Sequence, residues 1–108
     1  MTQPTTYLLV YITYPDELTA RRITRTLIEE RLIAGANIMS ANSEYHWQGA
    51  VQQAGEYAAM AQSTYACIEA LNSKVEELHP YQIPCISYFE ARANAAYVAW
   101  VHDQTRPE

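Results

Sequence analysis

The sequence predicts an α+β domain of order β-α-β-β-α-β with a short terminal helix: an antiparallel sheet carrying two long helices on one face. Three observations predict it. An apolar run rich in β-branched and aromatic residues, Thr6–Thr13, opens the chain. Two segments have helical apolar spacing, one after Pro15 and one after Ser63. Between them, two extended stretches meet at Gln48-Gly49 in "HWQGAV". The 108 residues suffice for one domain, 1–108, and a hydrophobic share of 49% argues for a packed core rather than disorder.

The first strand, Thr6–Thr13, is closed by Tyr14-Pro15. Asp16-Glu17 then opens a helix, with acids in the first turn where the helix dipole favours them. Leu18, Ile23, Leu27 and Ile28 give it an apolar side, and its end falls near Arg31–Leu32, with Gly35 close behind. A weaker second strand runs from Ala36 to Trp47, and a third from Val51 to Gln62, with Gly55 expected as a bulge or bend. The second helix spans Thr64–Leu78, with Thr64, Ile68, Leu71, Val75 and Leu78 on one face. Ile86–Ala91 is the fourth strand. Asn94–Gln104 is a terminal helix with Asn94 as its candidate N-cap. This order is that of the ferredoxin-like split βαβ.

The first strand is apolar on both sides: Leu8, Val10 and Ile12 on one, Tyr7, Leu9 and Tyr11 on the other. A half-solvated strand alternates apolar with polar. The stretch Tyr57–Ala61 is also apolar on both faces. Something must therefore cover the second sheet face, and another copy of the chain is the simplest candidate.

Charge and motif content exclude several function classes. The formal charge is −5, from 12 acids against 7 Lys plus Arg, without the basic stripe of a nucleic-acid binder. The start of the chain has no basic leader, and its apolar run is too short to span a membrane, so the expectation is a soluble, cytoplasmic protein. Two cysteines make no disulfide framework. No phosphate-binding glycine loop, H-E-x-x-H or G-x-S-x-G occurs, and no enzyme is expected.

Four segments resemble the CutA family of divalent-cation tolerance proteins, over about Tyr7–Val101: "RLIAGANI" (31–38), "YHWQGAVQQAGEY" (45–57), "HPYQIP" (79–84) and "YVAW" (97–100). The resemblance implies a homotrimer with a long β2–β3 hairpin and a proposed role in binding copper or other divalent ions, with no required cofactor. Several positions depart from the family pattern. Gly35 stands where a cysteine is common. Gln48, Ala50 and Gln62 replace lysines, Cys85 replaces an acid, and the chain runs a residue short between Asn37 and Tyr45.

His79 fits two roles: a cation at a helix C-terminus, or a ligand for copper, zinc or nickel. Metal binding needs the ring unprotonated, so the roles compete. Cys85 is a second candidate ligand or a small half-buried strand residue. Pro80 and Pro84 bias the segment from His79 to Cys85 to extended conformations, and six such steps at ~3.1 Å hold the two about 19 Å apart. One metal could join them only if the chain doubled back or if they came from different subunits. Glu56, just before an apolar run, is either a solvated acid or a buried one that needs a partner. Cys67 reads as core. His46 alternates with Tyr45 and Trp47 and should point away from them, and His102 should be exposed. If the family's trimer forms, Tyr45, Trp47 and Tyr81 would line one intersubunit pocket.

The leading expectation is a trimer holding divalent or copper ions weakly in intersubunit clefts, through His79 with Glu56 or Cys85 of a neighbour. The alternatives are a PII-type regulatory trimer sensing a small neutral or cationic molecule, and a structural trimer without a ligand. Neither nucleic acid nor membrane is an expected partner.

Overall fold

A computed structural model of the chain describes residues 4–106. Its elements are β1 (Thr6–Tyr14), α1 (Glu17–Glu29), β2 (Gly35–Trp47), β3 (Ala50–Ser63), α2 (Ile68–Leu78), β4 (Ile86–Arg92) and α3 (Ala95–Gln104). The strands form one antiparallel sheet in the order β2-β3-β1-β4, the ferredoxin-like arrangement. β1 is central and pairs on both edges.

One side of β1 makes the core. Leu8, Val10, Ile12 and Tyr14 are sealed against Ala20, Ile23 and Leu27 of α1 and Leu71 and Val75 of α2. Each such aliphatic side chain contributes roughly 1.5–3 kcal/mol by burial. Helix α1 begins because Asp16 is extended and its carboxylate accepts from the Thr19 N–H at 2.8 Å. This bond holds the Asp16 carboxyl below its usual range, with Arg22 adding a smaller pull. The helix stops in a Schellman turn: Leu32 N–H donates to Leu27 O at 2.9 Å and Arg31 N–H to Ile28 O at 3.0 Å. The left-handed residue of that turn is Arg31, with φ 62°. Gly35 is not the terminator; it opens β2.

The hairpin tip lies at Gln48-Gly49, both with positive φ (52° and 81°), as a two-residue turn between paired Trp47 and Ala50 requires. Three local expectations need correction. The β2–β3 register passes through Gly55 opposite Asn42 without a bulge, because the edge strand β2 stays paired along its whole length. The second helix begins at Ile68, after a 3-10 turn over Tyr65–Cys67. Thr64 offers that helix no side-chain cap; its hydroxyl lies instead 3.4 Å from the Cys67 sulfur and 3.4 Å from the Thr105 hydroxyl. Asn94 caps α3 through its carbonyl, which accepts from Tyr97 and Val98 at 3.1 Å, and not through its side chain.

The strands differ in length, and this shapes the molecule. β1 ends at Tyr14 opposite Tyr57. The rest of the hairpin, Ala41–Trp47 with Ala50–Glu56, runs on alone as an arm, and the longest dimension reaches 53 Å. The second sheet face is only partly covered. α3 lies over one end, its Tyr97 ring 5.7 Å from that of Tyr7. Away from α3 the face stays open: Met39 is 45% and Phe89 51% exposed. His102, expected in solvent, is half-buried, with its Nε2 3.0 Å from the Thr6 carbonyl, so it ties α3 to the start of β1.

Replacing Arg31 with glycine should raise stability by about 0.5–1 kcal/mol. Relief of the left-handed strain, ~1–2 kcal/mol, exceeds glycine's extra chain entropy of ~0.5–1 kcal/mol. Urea unfolding checks this, and no gain would mean that the exposed Arg31–Gln104 bond (3.3 Å) matters more than the strain. Asp16→Ala should lower the melting temperature at pH 7. The folded Asp16 carboxyl titrates below its unfolded value of ~3.9. Its contribution is therefore whole above that value and lost as pH falls through the folded one, so the gap between mutant and parent should close below about pH 4.

Candidate functional site

The connector from α2 to β4 starts at His79. Its N–H makes the last bond of the helix, to Val75 O at 2.8 Å. The following Pro80 excludes the α region for His79, which is extended at φ −76° and ψ 134°. The prolines of the sequence favour an extended continuation, and the structure corrects this with a bend through Pro80–Ile83. A side chain pins that bend: the Tyr81 N–H donates to His79 Nδ1 at 3.1 Å.

The other ring nitrogen of His79 lies 2.7 Å from the Thr13 carbonyl. A carbonyl only accepts, so Nε2 carries the proton and Nδ1 the lone pair. The ring stacks on Tyr14 at 5.0 Å and stands 4.8 Å from the Tyr81 ring. His79 is only 7% exposed. Both nitrogens are thus engaged within one chain, and a metal at either one would displace a hydrogen bond. The geometry corrects the reading of His79 as leading ligand: it is a buried strut that joins the end of β1 to the connector. Tyr14, beneath it, buries a hydroxyl that has no hydrogen-bond partner among the described residues, and burial pushes that phenol's pKa up.

The strut places Tyr81 over the notch where β1 stops and β3 continues. There the Tyr81 hydroxyl donates to Glu56 Oε2 in a short hydrogen bond. Partial burial, then the bond to Glu56 and its charge, raise the Tyr81 pKa well above an ordinary phenol, so Tyr81 remains a donor. Glu56 is 7% exposed, so it is the buried alternative that holds. Around this pair lies an open cleft of about 790 Å³ between the base of the arm and the connector. Tyr45 and Trp47 of β2 line it, with Glu44, Glu56, Tyr81 and Cys85. Five of the six residues expected at a site thus meet in a single chain, and His79 stands behind the wall.

Cys85 is exposed and precedes β4, so it is not a half-buried strand residue; its sulfur lies 3.5 Å from the Ser87 hydroxyl. Cys67 is fully buried, as expected of core, and His46 is exposed. Glu44, Glu56 and Cys85 all border the cleft, yet among the described residues no three His, Cys, Asp or Glu side chains converge tightly enough to hold a metal. The described residues of one chain do not by themselves make a complete metal site. Sequence reasoning missed the Tyr81–Glu56 bond and the Tyr14–His79 stack. Both depend on where β1 stops relative to β3, which local pattern does not give.

His79→Ala should cost about 2–4 kcal/mol in urea unfolding, combining a lost buried hydrogen bond with a cavity under the connector. It should also free the Tyr81 amide, seen as faster hydrogen exchange. Wild-type stability in the mutant would show that the ring is not a strut.

Comparison with known proteins agrees with this architecture. The family model described as "CutA1 divalent ion tolerance protein" matches residues 8–104. A curated relative, the divalent-cation tolerance protein CutA of Pyrococcus horikoshii, is 33% identical over 100 residues, covering 92% of this chain and 98% of that protein. CutA1 from Oryza sativa superposes with a TM-score of 0.93 at 27% identity, over 99% of this chain and 100% of that one. The PII-like protein CutA from Nostoc sp. PCC 7120, in apo form, superposes at 0.87 with 28% identity, over 94% and 99% of the two chains. With the family model covering nearly the whole sheet and both cleft walls, the chain belongs to the CutA1 divalent ion tolerance family.

Proposed function

We propose that this protein is a homotrimer that holds divalent ions, copper among them, weakly in clefts between its subunits. The observation that carries the reading is the half-open second sheet face. Leu9, Tyr11, Met39, Met60 and Phe89 share that face, and α3 reaches only one end of it. Contiguous exposed apolar surface of this kind favours association. The arm adds support: a lone two-stranded hairpin is marginal in water, and Tyr45, Trp47 and Val51 leave it apolar.

The metal reading draws on the names of the relatives and on the donors at the cleft. Glu56 supplies a buried carboxylate and Cys85 an accessible sulfur. A copper or zinc site needs three or four such donors, so a neighbouring copy must complete it, which fits weak binding. His79 enters this reading as the support for Tyr81. We place the protein in the cytoplasm and assign it no catalysis. No helix among the described residues is long and apolar enough to cross a membrane. A PII-type sensor is the second reading, favoured by the fold neighbour described as PII-like.

Light scattering should give a mass near three times 12.3 kDa at micromolar concentration. Copper should then titrate to saturation near one ion per chain, and Glu56→Gln and Cys85→Ser should each weaken it tenfold or more. A stable monomer, or copper binding unchanged in both variants, would overturn the reading.

A further inference from the structure

Glu56 keeps one carboxylate oxygen, Oε1, open to the cleft rather than bonded within the fold. A carboxylate this buried is stable when paired with a cation or fully hydrogen-bonded. Among the described residues its hydrogen bond is the one from Tyr81, which reaches Oε2 only, and no salt bridge includes it. The cleft beside it carries a second acid, Glu44, and no Lys, Arg or His. Its walls include Tyr45, Trp47 and Tyr81. Its volume of about 790 Å³ lies in the range of small-molecule sites, about 300–1,000 Å³, and far exceeds a bare ion.

We propose that this cleft binds a small organic cation, an alkylammonium whose N–H groups meet Glu56 Oε1 and whose stem lies against the Tyr45 and Trp47 rings. Each part of the site has a role. Tyr81 satisfies Oε2 and fixes the carboxylate, leaving Oε1 to the ligand. The aromatic faces attract the cation and cover its stem. Glu56, with Glu44 at the rim and no cationic side chain of this chain on the walls, disfavours anions such as nucleotides and carboxylates. The inference uses the same cleft as the metal reading but does not rest on it, because the groups named here come from one chain and no convergent donor set is required.

The test is calorimetric titration of the full-length protein, in amine-free buffer with EDTA, with three probes that share one stem: n-butylammonium, 1-butanol and butyrate. Only n-butylammonium should bind saturably. Glu56→Gln should weaken it at least tenfold, and Trp47→Leu, a change on the exposed arm, severalfold. Equal binding of butyrate or butanol, no saturable binding, or an unchanged affinity in folded Glu56→Gln would overturn the proposal. If Glu56→Gln does not fold, the head-group series and Trp47→Leu decide alone. Loss of copper binding with butylammonium binding intact sinks the metal reading only; the reverse sinks this one only.

Discussion

The central strand β1 is paired on both edges, yet it stops at Tyr14, where Pro15 removes a ladder donor and the chain turns into α1. Its neighbour β3 begins seven positions earlier along the sheet, at Ala50, before it meets β1 at Tyr57. This mismatch in length generates most of what is distinctive. It leaves the hairpin arm unsupported, opens a notch beside Glu56, and gives the α2–β4 connector a place to lie. The cleft is the consequence of a short strand beside a long one.

What fills the notch is decided by local chemistry. Pro80 forces His79 out of the helix, and the ring then finds the Thr13 carbonyl left over at the end of β1. Its remaining lone pair holds the Tyr81 amide, and Tyr81 reaches Glu56. This is one continuous chain of hydrogen bonds from strand to connector to strand. It explains how an acid can sit beside a buried run of alanines without a base nearby, and it leaves half of that acid for something outside the fold.

The departures that the resemblance implies fall into three places. Gln48 and Ala50 flank the arm's tip. Gly35 and Gln62 face each other on the second sheet face, where a Cβ on Gly35 would sit 3.4 Å from the Gln62 amide oxygen and 3.6 Å from Trp100. Gln62 turns its amide nitrogen to the Met60 carbonyl at 3.1 Å, a neutral contact suited to a covered position. Neither place is the cleft. Cys85 is the one of them that lines it.

The sequence by itself determined the element order, the hairpin tip and the two apolar sides of β1, not which of them faces the helices. Each follows from information local to a few residues: period-two apolarity, the Gln-Gly turn, and acids opening a helix. It also showed that β1 is apolar on both sides, which already implies a second covering layer. It named five residues that line the cleft and left His79 between two roles, because a histidine after a helix looks the same whether its nitrogens are free or spoken for. Only the tertiary structure decided that the connector bends, that His79 faces inward, that His102 is tied to Thr6, and that Tyr81 meets Glu56. Each of these is a contact between residues far apart in the chain, set by strand register and by where β1 ends, and no local pattern encodes that distance.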